Sequence, residues 1–149
     1  MDRLRIMRAD PLLAKLIAFV DGASRGNPGQ AAVGVVIQDE KHKTVKNISV
    51  AIGHSTNNVA EYSALIFALQ EALLLGAKEL EIYTDSELVA KQWSGEYKIK
   101  DASLKVLYLL AWHLKAGFKK LSVAHVPREQ NKLADAQANL ALDNQDLFA

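Results

Sequence analysis

Apolar and polar residues follow two different rhythms along this chain. Residues 16–20 (LIAFV) are an unbroken apolar run of strand length, followed at once by Asp21-Gly22, and they read as a buried strand. Residues 32–38 are a second such run, and Gly26-Asn27-Pro28-Gly29 between the two is a turn. Residues 44–52, with Val45, Ile48, Val50 and Ile52 apolar, read as a third strand beyond the charged connection 39–43. Three strands with short links predict an antiparallel meander.

The rhythm then lengthens. Thr56 and Asn57 are good helix caps, residues 59–75 are strong helix formers, and Gly76 is a natural stop. This helix is apolar on nearly every side, which predicts burial. Residues 79–84 (ELEIYT) are a fourth strand, with Asp85-Ser86 as strand end and helix cap. Residues 87–93 form a short helix broken by Ser94-Gly95-Glu96-Tyr97. Residues 103–115 are amphipathic, with Leu104, Leu107, Tyr108, Ala111 and Leu114 on one stripe. Residues 120–126 are a fifth strand, stopped by Pro127, and residues 129–142 a last helix rich in Ala and Leu. The order βββαβααβα predicts an α/β fold, its later units parallel and covered by helices.

A chain of 149 residues fits one domain, here expected over residues 15–143, with an N-terminal extension over 1–14 and a tail over 144–149. The absence of cysteine excludes disulfides, thiolate zinc sites and cysteine nucleophiles. The formal charge of +1 means that a polyanionic partner would need cations gathered on one face, or metal ions. Arg3, Arg5 and Arg8 precede an apolar stretch, as in an export signal. However, Lys15 interrupts it and no small-x-small cleavage site closes it, so it is read as core and the protein as cytoplasmic. No run is long and apolar enough to span a bilayer, so no membrane partner is expected.

Four acids stand at the ends of elements or in unusual helical positions. Asp21 follows the first strand, and Asp85 the fourth. Glu61 lies near the start of the long helix with Leu65 and Ala68 on its apolar side. Asp135 falls in the middle of the last predicted helix, where Asp is a poor former, with Asn131 and Asn139 a turn either side. Each has an ordinary explanation: a strand-ending cap, a dipole partner, an N-cap, a solvated stripe. As a set they point elsewhere, because parallel strands would bring Asp21 and Asp85 together. Carboxylates meeting at one spot repel unless cations neutralise them. All-oxygen donors select Mg²⁺ or Mn²⁺, and a pair of such ions about 4 Å apart is the standard device for attack on a phosphodiester.

Asp21-Gly22-Ala23-Ser24 with Gly26-Asn27-Pro28-Gly29, Thr56-Asn57-Asn58-Val59-Ala60-Glu61, Thr84-Asp85-Ser86, and Pro127-Arg128-Glu129-Gln130-Asn131 with Ala134-Asp135 together resemble the ribonuclease HI family. The resemblance covers residues 16–142. It implies a ribonuclease H-like fold: a five-stranded mixed sheet, three strands antiparallel and the rest parallel βα units, flanked by helices. It implies an endonuclease that hydrolyses the RNA strand of RNA–DNA hybrids with two Mg²⁺ ions (Mn²⁺ the other candidate), leaving 5′-phosphate and 3′-hydroxyl ends. Asp21, Glu61, Asp85 and Asp135 would be the catalytic metal ligands. Asp21 would be shared by both ions, Asp135 would serve the one that activates water, and Glu61 and Asp85 the one at the leaving oxygen. Asn27, Asn57 and Asn58 would contact the minor groove and Thr56 a phosphate, with Ser86, Arg128 and Asn131 also at the substrate. A monomer is implied, with double-stranded RNA as a second candidate substrate.

Three departures from the family pattern stand out. Glu87 occupies a place where many relatives have Gln. The stretch 93–103 lacks the long basic insertion of some members, which shifts the burden to Lys91, Lys98, Lys100 and Lys105. The loop that carries a mobile histidine in some members is cut to Val126-Pro127-Arg128-Glu129, and His125 reads as a packed strand residue. Two rivals stay open: another nuclease of the ribonuclease H superfamily, and a non-catalytic hybrid-binding module.

Overall fold

The apolar runs on either side of Gly26-Asn27-Pro28-Gly29 pair as a hairpin. β1 (Lys15–Gly26) runs antiparallel to β2 (Gly29–Gln38), from Ile17 opposite Gln38 to Gly26 opposite Gly29. β3 (Thr44–Ser55) continues the meander on the far side of β2. The chain then crosses the sheet as α1 (Asn57–Leu74), opened by Thr56, whose hydroxyl accepts from the Val59 N–H. Gly76, at φ 89°, turns it towards β4 (Glu79–Thr84), which lies parallel to β1. α2 (Glu87–Trp93) and α3 (Ala102–Lys115) follow, then β5 (Lys120–His125), parallel to β4, and α4 (Lys132–Phe148). The sheet order is β3-β2-β1-β4-β5, the expected mixed sheet. The computed structural model describes residues 10–148, with side chains from 10 to 145. Of the expected N-terminal extension, residues 1–9 lie outside the described residues, and Pro11–Leu13 form one 3-10 turn.

The two faces of the sheet are covered differently. Leu16, Ala18 and Val20 of β1 join Val33, Val35 and Ile37 of β2 and Leu80 and Ile82 of β4 in a core under α1, which contributes Tyr62, Leu65, Ala68 and Leu69. α3 packs on the outer side of α1 through Leu104 and Ala111, so α1 buries apolar residues against both the sheet and a second helix. On the other face α4 covers β2, β1 and β3, with Ala32, Ala141 and Leu142 as its small core. Among the described residues no helix is long and apolar enough to cross a membrane.

Several boundaries differ from the sequence reading: β2 starts at Gly29 and β3 runs to Ser55, for example, and three further differences bear on the acids or the last helix. β1 runs to Gly26, not Val20, because β2 keeps pairing with it after the parallel ladder to β4 stops at Val20–Thr84. Asp21 is therefore inside a strand. The last helix starts at Lys132, after a 3-10 turn at Arg128–Gln130, which places Asp135 in its first turn rather than its middle. It also runs through Phe148 where a tail was expected. Asp143 pairs with Arg25 there, and the Gln145 amide donates to Gln30 Oε1 at 2.7 Å, so its last turns are tied to the hairpin.

Two glycines set how near the helices come. A Cβ at residue 22 would lie 2.2 Å from the Ala60 carbonyl carbon and the Glu61 nitrogen. A Cβ at residue 34 would lie 2.1 Å from the Ala134 carbonyl oxygen and 2.5 Å from the Ala138 nitrogen. Backbone atoms of a helix cannot step aside as a flexible side chain does. Gly34→Ala is therefore expected to cost about 1–3 kcal/mol of stability, the usual range for overpacking. Denaturant unfolding measures it, and an unchanged midpoint would show that α4 does not rest on this position.

Candidate active site

The parallel register brings the first two acids together. Val20 aligns with Thr84, so Asp21 and Asp85 are the next residues past the end of one ladder. Beyond that point β1 continues as strand while the other chain turns into α2. The Thr84 hydroxyl accepts from the Ser86 N–H at 3.0 Å, and Ser86 Oγ caps α2 by accepting from the Val89 N–H at 3.2 Å. Ser86, not Asp85, supplies the cap, and the Asp85 carboxylate is left to face the cleft.

Glu61 comes from α1, pressed against β1 at Gly22. Asp21, Glu61 and Asp85 each offer a carboxylate oxygen, and these atoms lie within 4.8 Å of one another. Asp135 arrives from the other face of the sheet. Its helix rests on Gly34, and Gly34 is the register partner of Asp21. All four acids line one cleft of about 440 Å³, with Ser24, Asn57, Asn58, Ser86 and Arg128 among the other lining residues. Among the described residues, Arg128 is the one cationic side chain in that lining.

The electrostatics follow from crowding and burial. Asp21 is 5% exposed, and its carboxyl is pushed from its ordinary 3.8 up to about 8, by burial first and then by the charge of Asp85. Glu61 is likewise held well above its usual range by burial, then by Asp21 and Asp85. Its Oε2 is buried and has no hydrogen-bond partner.

Of the residues expected at the substrate, Ser86 and Arg128 line the cleft with the acids, and the other five divide into three groups. Asn58 is exposed and lines both this cleft and a second one of about 310 Å³ that Asn27, Thr56 and Ser103 also line. Asn27, Asn57 and Thr56 are partly engaged already. Asn27 Oδ1 accepts from the Asn57 N–H at 3.1 Å, Ser24 Oγ donates to Asn57 Oδ1 at 2.7 Å, and Thr56 caps α1. These bonds stitch the hairpin to the start of α1 beside Glu61. Asn131 differs from the expectation, being 1% exposed with its amide donating to the Val20 carbonyl at 2.8 Å. It belongs to the frame behind the acids and not to a surface that substrate can reach. His125 is a strand residue opposite Thr84, as read, but exposed rather than packed. Glu87 pairs with Lys91 at 2.8 Å, one helical turn away. The residues that the sequence reading missed are Gly22 and Gly34. The available signal was a glycine inside a strand, which marks close backbone approach.

Residues 19–141 match the family model described as reverse transcriptase-like. A bifunctional protein of Mycobacterium tuberculosis is 45% identical over 130 residues, which is 87% of this chain and 36% of that protein. The crystal structure of the ribonuclease H1 of Halobacterium salinarum superposes with a TM-score of 0.85 at 45% identity, covering 87% of this chain and 98% of that one. A ribonuclease H1 solved in complex with an RNA/DNA hybrid gives 0.83 at 44% identity, over 87% and 98% of the two chains. This chain spans 36% of the length of the mycobacterial curated relatives and 64% of that of a Halobacterium ribonuclease HI. Agreement in sequence and fold over most of its length makes this chain a member of the ribonuclease HI family.

Proposed function

We propose that this chain is an endonuclease that hydrolyses the RNA strand of an RNA–DNA hybrid, with two Mg²⁺ ions held by Asp21, Glu61, Asp85 and Asp135. The observation that carries the reading is the group of three carboxylates with oxygens within 4.8 Å, one of whose atoms, Glu61 Oε2, is buried and unpartnered. An oxygen-only donor set in that state suits a small hard cation and not zinc. The relative solved with an RNA/DNA hybrid supports the substrate.

Bound divalent cations would neutralise charge at the phosphate and make a water acidic enough to attack at neutral pH. The chain itself has to place the phosphate and hold the acids still. Asp21 lies next to Asp85 and Glu61 and feels Asp135 as well, which suits it to be shared between two ions. Arg128 lines the cleft beside the acids, which supports a role for it at the non-bridging phosphate oxygens. Asn58 is exposed and lines both clefts, which supports a contact with the minor groove, where ribose hydroxyls distinguish RNA from DNA. Water oxygen bonds to phosphorus, the bond to the 3′ oxygen breaks, and 5′-phosphate and 3′-hydroxyl ends result.

A cleavage panel tests the reading. Hybrid should be cut with Mg²⁺ and left intact with chelator, duplex DNA should resist, and duplex RNA reports the second candidate substrate. Asp85→Asn should lower turnover by more than about 100-fold, beyond the 10- to 100-fold typical of outer-shell changes, while hybrid affinity stays within a few-fold. A wild-type chain that binds hybrid but never cuts it would favour the non-catalytic module.

The raised carboxyls add a pH signature. A group protonated in the fold while ionised in the unfolded chain makes the folded state bind more protons, so stability falls as pH rises. For Asp21 that window runs from its ordinary 3.8 to about 8. The metal-free protein should therefore melt at progressively lower temperature across this range. Asp21→Asn should flatten the slope, and Mg²⁺ at pH 8 should restore melting temperature. A wild-type profile flat from pH 4 to 8 would contradict the crowding described above.

Lys98 and Lys100 are exposed, whereas Lys91 is engaged by Glu87 and Tyr97. Charge reversal at Lys98 and Lys100 should reduce the salt dependence of hybrid affinity by about 0.9 in log–log slope for each phosphate that is no longer neutralised. An unaltered slope would remove both from the interface.

A further inference from the structure

Asp21, Asp85 and Asp135 come from three elements, and one short strap ties their backbones together. Just past β5, the Val126 N–H donates to the Thr84 carbonyl at 2.9 Å, on the peptide that leads into Asp85. Five residues later, Asn131 Nδ2 donates to the Val20 carbonyl at 2.8 Å, on the peptide that leads into Asp21. The Asn131 carbonyl in turn accepts from the Asp135 N–H at 3.1 Å as α4 begins. Asn131 thus grips the chain before one acid and launches the helix turn that bears another. It is 1% exposed, and its Oδ1 is buried with no partner. An unmet acceptor in the interior is costly, and a side chain serving only as a helix start would turn that oxygen to the helix N–H groups.

We propose that Asn131 is a positioning residue of the acidic site: its clamp on Val20 fixes Asp135 relative to Asp21 and thereby sets the affinity of the site for divalent cations. The inference rests on the metal-dependent reading above. The β1–β4 ladder ends at Val20–Thr84, so no further rung from β4 holds the chain at Asp21. The side-chain amide of Asn131 supplies a bond at that point, from the segment that also carries Asp135.

Mn²⁺ is the probe, its binding to the full chain without nucleic acid followed by electron paramagnetic resonance. Asn131→Ser keeps a residue that opens helices well but is too short to reach Val20. Ser49→Ala is the control, because Ser49 Oγ donates to the Gln137 carbonyl at 2.6 Å and so anchors α4 to β3, two strands from Asp21, without a bond to Val20. Asn131→Ser should weaken Mn²⁺ binding by about 10- to 100-fold, as outer-shell changes do, and raise the Mg²⁺ needed for half-maximal cleavage, with the KM for hybrid unchanged at saturating Mg²⁺. Ser49→Ala should lower melting temperature without changing Mn²⁺ affinity. Wild-type affinity in Asn131→Ser, or equal losses in both variants, overturns the clamp and leaves the metal reading standing. Failure of the unaltered chain to bind Mn²⁺ overturns both. Should Asn131→Ser fail to fold, Asn131→Gly, which also opens helices and lacks the donor, is read by the same criteria.

Discussion

Two unit charges 4.8 Å apart repel by about 3–4 kcal/mol at an effective dielectric near 20, and this fold gathers three carboxylates at that separation or less. Burial makes matters worse for Asp21 and Glu61, whose neighbours can neither hydrate them nor donate enough hydrogen bonds. Nothing local would keep such groups together. They stay because each is fastened to a different rigid element whose position is fixed by packing elsewhere. The stability needed to oppose this repulsion comes from the apolar face under α1, which takes no part in the site.

The division of labour between the two sheet faces explains the layout. Successive residues on a strand point to opposite sides. Asp21 and Gly22 therefore address different helices from adjacent positions: Gly22 admits the backbone of α1 on one side, and Gly34, opposite Asp21, admits α4 on the other. A side chain at either glycine would push a helix away from the sheet and carry an acid with it. The hairpin turn is drawn into the same arrangement, because Asn27 holds the first helical residue of α1 and Arg25 holds Asp143 near its far end in α4.

Element type and order were legible in the sequence because each element carries its own punctuation: apolar runs bounded by Gly or Pro, caps at Thr56 and Ser86, a stop at Gly76. The bounds of β4 and α2 coincide with the reading, since both are short and sharply flanked. The long strand β1 was cut at Asp21 because a carboxylate after an apolar run looks like an exit. Continued pairing with β2, where Asp21 stands opposite Gly34, keeps it inside a strand, and pairing of that kind is a tertiary fact. The four acids were legible as a set through their places on elements and the family resemblance. The role of Asn131 was not, since nothing in the local sequence says whether an amide before a helix faces water or reaches 111 residues back to Val20.

Near-neutral overall charge has a consequence for binding as well as for chemistry. Among the described residues the cleft is lined by four acids and a single arginine, so their bare field repels a phosphodiester. On the proposed reading, divalent cations reverse that sign locally, and a loaded site accepts a phosphate more readily than a bare one. A chain carrying a net charge of +1 has little long-range attraction for nucleic acid with which to override an unloaded cleft. Metal loading and substrate affinity are then linked thermodynamically, each strengthening the other by the same factor. Whatever holds Asp135 against Asp21 acts on both at once wherever metal is scarce, which is why a buried amide distant from any substrate surface bears on how tightly the hybrid is held.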